Sequence, residues 1–84
     1  MRRFLHRLYD LLSGGAESVL LSFVRAFPND QHLLIYNRFV PSWASAGLRA
    51  CGNVRGRAIA GRDFASHVAE FRPDVLFFHW YPRL

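Results

Sequence analysis

Apolar residues fall along this chain in two alternating rhythms, short continuous runs and longer stretches in which they recur every third or fourth position. The first rhythm reads as a strand buried on both faces, the second as a helix packed by one side. Residues 4–9 open with Phe4, Leu5 and Leu8, which together with Leu11 and Leu12 also fit helical spacing. A glycine pair and an evident helix come next, and that context favours a strand. From Ala16 to Phe27, Val19, Leu20, Phe23, Val24 and Phe27 recur at helical steps, Glu17 complements the helix dipole, and Pro28-Asn29-Asp30 stops the run. Residues 32–36 predict a second strand. Residues 41–50 predict a short helix that begins near Ser42 and is ended by Gly52. A third strand over 54–60, a third helix over 62–71 with Phe64, Ala65, Val68 and Phe71 on one side, and a strongly apolar fourth strand over 75–79 complete the series.

Strand and helix thus alternate throughout, which predicts the α/β class, with parallel strands joined by right-handed crossovers. The expected architecture is an incomplete Rossmann-like sheet of about four strands, order 3-2-1-4, flanked by helices. In the complete order 3-2-1-4-5-6 the fourth strand is interior, and Val75-Leu76-Phe77-Phe78 has no polar face. As an edge, that strand would leave backbone groups unpaired and two phenylalanines exposed. The 84 residues are therefore expected to be the N-terminal part of something longer.

Composition narrows the class. A hydrophobic content of 51% with 15% aromatics excludes a disordered chain. The net charge of +5 raises nucleic acid as a partner, but all 11 basic residues are arginines scattered from Arg2 to Arg83, and scatter makes no patch. Nucleic acid is not the expected partner. The single Cys51 excludes an internal disulfide, and no Cys/His cluster has zinc-ligand spacing. A reducing cytoplasm is the expected compartment, without metal or cofactor. No run of about 18 apolar residues could span a membrane, so any membrane association would be peripheral.

Candidate chemistry gathers at two places. Gly14-Gly15 follows the first strand and opens the first helix, where missing side chains bring backbone amides and the positive helix end close to a phosphate or another anion. Ser18 stands where a third fingerprint glycine would be, and no Gly-Lys-Ser/Thr follows, so neither a dinucleotide fingerprint nor a Walker loop is present. The second place is Arg72-Pro73-Asp74-Val75-Leu76-Phe77-Phe78-His79, which puts a histidine at the carboxyl end of a buried strand. Ligands of open α/β sheets bind there.

These two segments, with His79-Trp80-Tyr81-Pro82 after the strand, resemble the first strand, glycine loop and fourth strand of the N-terminal domain of family-4-type glycosyltransferases of GT-B fold. The resemblance covers nearly the whole chain. It implies a retaining transfer of a sugar from a nucleotide-sugar donor to an acceptor, with acceptor on the N-terminal domain, donor on a C-terminal domain, and chemistry in the cleft between. Carried over, Gly14 and Gly15 would face the donor phosphates and transferred sugar, and His79 would be the catalytic contact to the reacting sugar. Asn37, Arg38 and Trp80 would touch a saccharide or lipid-linked acceptor. The donor-binding domain, with its pair of glutamates, would lie beyond Leu84, and residues 1–84 alone would be inactive. Arg7 departs from the pattern: it stands where that family's strand is apolar, so it must reach solvent or the strand register is different.

Other readings stay open beside it. A small stand-alone α/β binding or interaction module needs no second domain, and a basic nucleic-acid-binding protein would use the arginines. His6, His32 and His67 read as structural or exposed. Cys51 through Arg57 matches the Cys-x5-Arg phosphate loop of cysteine phosphatases, but the segment before it looks helical and Ala58 replaces the usual hydroxyl residue. An arginine-rich chain produces that spacing by chance.

Overall fold

A computed structural model describes residues 1–8, 10–11, 15–39, 43–59 and 63–78. The elements in chain order are β1 (Arg3–Arg7), β2 (Asp10–Leu11), α1 (Gly15–Ala26), β3 (Gln31–Tyr36), β4 (Arg38–Phe39), α2 (Trp43–Arg49), β5 (Val54–Ala58), α3 (Phe64–Phe71) and β6 (Val75–Phe78). Four strands form one parallel sheet in the order β5-β3-β1-β6. This is the third, second, first and fourth of the expected strands, so the α/β class and the order 3-2-1-4 are both observed.

The register explains which residues form the core. Phe4 lies level with His32, Leu5 with Leu33 and His6 with Leu34, and Leu33 in turn is level with Arg55. Because side chains alternate between faces, Phe4, His6, His32 and Leu34 share one face, and Leu5, Arg7, Leu33, Ile35, Arg55 and Arg57 the other. On the first face Leu20, Leu21 and Val24 of α1 and Leu48 of α2 close over Leu8 and Leu34. On the second, Phe64, Val68 and Phe71 of α3 and Ile59 pack on Leu5, Leu33 and Ile35. Crossovers of a single hand account for this division. The chain steps one way along the sheet from β1 to β3 to β5, then returns past β1 to β6, which moves the last helix to the opposite side.

Local signals fix the helix ends. Asp63, extended at φ −72° and ψ 160°, accepts a hydrogen bond from the Ser66 amide at 2.9 Å and caps α3. At its other end Arg72 adopts the left-handed conformation at φ 53°, its amide donating to the Val68 carbonyl at 2.9 Å. Gly47 lets α2 approach α1, since a Cβ there would meet a Leu21 methyl at 3.0 Å.

Several expectations are corrected. Val19 is 61% exposed and Leu21 takes a place in the core, because α1 packs on α2 as well as on the sheet and its buried stripe is turned accordingly. Ala65 is exposed, while His67 is buried on α3. β1 ends at Arg7, although Leu8 still donates its amide to the Ile35 carbonyl at 2.9 Å. Among the described residues β6 pairs with β1 alone, and it leaves Leu76, Phe77 and Phe78 exposed at 46, 36 and 47%. The two-residue strands β2 and β4 were not expected. Among the described residues no helix is long and apolar enough to cross a membrane.

Candidate functional site

All four parallel strands point their carboxyl ends the same way, so the connections that follow them gather at one edge of the sheet. β1 is the switch point there: β3 departs on one side of it and β6 returns on the other. Phe78 lies level with Arg7, so β6 ends beside the carboxyl end of β1. α1 begins at Gly15, four residues after Leu11, and its first amides have no carbonyl partner within the helix.

β2 and β4 form a separate parallel pair, Asp10 level with Arg38 and Leu11 with Phe39. This pairing ties the connection after β1 to the connection after β3. It draws Asn37 and Arg38, both exposed, toward Asp10 and Leu11. The structure thus places Gly15, Asn37 and Arg38 at the carboxyl edge. Gly14, His79 and Trp80 lie outside the described residues, as does the side chain of Glu17.

Arg7 resolves the puzzle it posed in the sequence. Its guanidinium bends to the carboxyl edge, donates to the carbonyls of Leu8 and Ile35, the latter at 3.4 Å, and lies 5.8 Å from the ring centre of Phe64. Partial burial pulls its pKa below the ordinary arginine value. The register is the expected one, and the cation caps strand-end carbonyls over an aromatic face. Sequence reasoning had no signal for the Ile35 acceptor, which comes from a strand 28 residues away.

The histidines divide differently. His6 and His32 are buried on the α1 face, with His6 Nε2 and His32 Nδ1 2.9 Å apart and the rings stacked with centres 5.2 Å apart. Phe4, Phe23 and Phe77 surround them. His32 Nε2 faces the Phe27 carbonyl at 3.3 Å. A carbonyl only accepts, so Nε2 carries the proton, Nδ1 accepts, and His6 donates from Nε2. Burial lowers the His32 pKa, against smaller opposing effects of the Phe27 carbonyl and Asp30. The pair is a structural element enclosed by aromatic rings. His67 is buried on the other face, Nε2 3.5 Å from the Ile59 carbonyl and Nδ1 without a partner among the described residues.

The geometry dismantles the phosphatase-like spacing. Cys51 follows α2, its thiol donating to the Gly47 carbonyl at 3.4 Å, and it packs on the α1 side of the sheet. Arg57 projects from the other face, where it pairs with Glu70 at 3.1 Å. No loop joins them around a common anion. Among the described residues no group of three or more His, Cys, Asp or Glu side chains gathers as metal ligands would.

Comparison of the chain with protein-family models, with curated proteins and with solved structures gave no match in any of the three.

Proposed function

We propose that this chain is the acceptor-side, N-terminal part of a retaining GT-B-type glycosyltransferase that moves a sugar from a nucleotide sugar to a saccharide or lipid-linked acceptor. One observation carries the reading: the strand order brings the amino end of α1 and the carboxyl end of β6 to the same switch point beside β1. Those are the two segments in which the family resemblance lies.

In this reading the acceptor hydroxyl oxygen bonds to the anomeric carbon as the bond from that carbon to the donor phosphate breaks, and the nucleoside diphosphate leaves as an anion, one of its phosphate oxygens taking up the hydroxyl proton. The Gly14 and Gly15 amides and the positive end of α1 stabilise that charge. His79 hydrogen-bonds the reacting sugar, and Asn37, Arg38 and Trp80 hold the acceptor. The reaction takes place in the cytoplasm, and a lipid-linked acceptor would bring the protein to the inner face of the membrane.

The test begins with the gene downstream of the Leu84 codon. An open frame encoding a second α/β domain with paired glutamates is the expected result, while a stop codon there turns the reading to a stand-alone binding module. With the full natural chain, release of nucleoside diphosphate from a panel of nucleotide sugars is then measured. His79→Ala should slow it by a factor of about 10² to 10⁴. Unchanged turnover removes His79 from the chemistry.

A further inference from the structure

α3 packs on the second face of the sheet at β1, and a groove of about 330 Å³ remains beside it over β3 and β5. Gln31 and Leu33 of β3 form its floor. Arg3 and Phe71 line one wall, Arg55 and Arg57 the other. Gly52 and Asn53, which precede β5, also line it, so it opens toward the amino ends of the strands, away from the switch point.

The register makes this a basic clamp. Arg3 is level with Gln31, and Arg55 and Arg57 are level with Leu33 and Ile35, so all three arginines rise from the same face. Arg3 and Arg55 stand on strands either side of β3, about 10 Å apart by two strand spacings. Three guanidinium groups face one carboxylate, Glu70, a surplus of two positive charges. Glu70 engages Arg57 at 3.1 Å, and Arg3 donates to the Phe71 carbonyl at 3.2 Å. Each of these contacts uses a fraction of the five donors of a guanidinium. Arg55 is exposed, and its guanidinium has no hydrogen bond or ion pair with the described residues.

The fold itself does not ask for this arrangement. Arg55 and Arg57 are like-charged neighbours on one face, and an exposed position in an edge strand is satisfied by any polar residue. A guanidinium fork matches two oxygens of a phosphoryl group, and clamping from both sides suits a ligand with more than one such group. Half-buried Phe71 adds apolar surface beside the cations.

We propose that this groove is a binding site for a small anion carrying two or more phosphoryl groups, separate from the carboxyl-edge site and independent of the transferase reading. The test is calorimetric titration of the whole chain with pyrophosphate at fixed ionic strength. Saturable one-site binding is expected, weakened at least tenfold, about 1.4 kcal/mol, by Arg55→Gln and by Arg3→Gln. Arg25→Gln, on the exposed side of α1, should leave it unchanged. Arg55→Lys, which keeps the charge without the fork, should recover only part of the affinity. Absence of saturable binding overturns the proposal, and so does equal weakening by Arg25→Gln, which would mean diffuse attraction. Binding to phosphatidylserine vesicles without a response to free pyrophosphate overturns it as well.

Discussion

Acid should unfold this protein through its buried histidine pair, and the hydrogen-bond geometry gives the sign. His32 is 2% exposed, with Nε2 directed at the Phe27 carbonyl and Nδ1 at His6 Nε2. A second proton on His32 would sit on Nδ1 and face the proton of His6, unless His6 moved its own proton to its other nitrogen. The charge would also be buried out of water, beside Phe4 and Phe23. Both effects disfavour the cation, in keeping with the lowered pKa of His32. The unfolded chain has no such constraint and takes up the proton near pH 6.5. Stability is therefore complete above about pH 6.5 and falls as the pH drops toward the folded-state value, by about 1.4 kcal/mol per pH unit for one site. A chain of this length has on the order of 4–13 kcal/mol in total, so each pH unit over which that slope holds removes a substantial share. Urea unfolding followed by circular dichroism from pH 7.5 to 5.0 measures the slope. The variant His6→Leu/His32→Phe, which replaces both polar partners by apolar groups, should flatten it. A midpoint independent of pH in the parent protein, or an undiminished slope in the double variant, refutes the reasoning.

Other substitutions test the packing and the caps. Leu5→Ala should cost about 2–5 kcal/mol because Leu5 is fully buried between β3 and β6, whereas Phe78→Ala on the half-exposed edge strand should cost clearly less; equal losses in urea unfolding would mean that the edge is covered. Asp63→Ala removes the cap on the α3 amide of Ser66 and should lower stability by about 1 kcal/mol. Arg72→Gly should raise stability by about 1 kcal/mol, since a left-handed residue at a helix end loses its Cβ penalty, and a lower thermal midpoint would contradict that geometry.

The second and fourth strands were legible as short continuous apolar runs, whereas the first, which also fits helical spacing, was legible only from the glycine pair and helix that follow it. Leu33, Leu34 and Ile35 are all buried, which only a strand between two helical layers allows. The carboxyl end of α3 at Phe71 was legible, whereas its start was expected at 62, because Asp63, which caps the helix from outside it, lies in the run that was read as helix. The exposure of Val19 was not legible, since the rotation of α1 depends on α2 meeting it through Gly47. Neither was the β2–β4 pair, because two residues carry no periodicity. His6 and His32 looked like isolated polar residues in strands. Only the register reveals that adjacent strands bring them together across 26 positions of sequence. For the candidate site, sequence proximity to strand ends located Gly15, Asn37 and Arg38, and topology brought their connections together.

The two edges of the sheet are built on different principles, and that difference bears on both proposals. At the amino edge, side chains bind backbone from distant segments. Asp30 accepts from the Arg2 amide at 2.9 Å and pairs with the Arg2 guanidinium at 3.2 Å, Asp74 accepts from the Arg3 amide at 2.8 Å, and Asn53 donates to the carbonyls of Phe27 and Asp30. The backbone bond from Arg2, followed by its charge, holds the Asp30 carboxyl below its ordinary pKa against the effect of burial, so this lock is engaged from neutral pH down to the carboxylate range and released only in strong acid. At the carboxyl edge the ties among the described residues include the short β2–β4 pair, the Leu8 and Ile59 amides donating to the Ile35 and Tyr36 carbonyls, and the reach of Arg7 across to Ile35. A rigid amino edge lets Arg3 stand at a fixed place in its groove, because its own amide is anchored by Asp74 and its guanidinium by Phe71. A preorganised cation gives up little side-chain freedom when an anion arrives. Asp74→Ala should therefore weaken pyrophosphate binding although Asp74 carries the wrong charge to attract it. Tighter binding in that variant, the result expected from charge alone, would show that anchorage of Arg3 is not what forms the site.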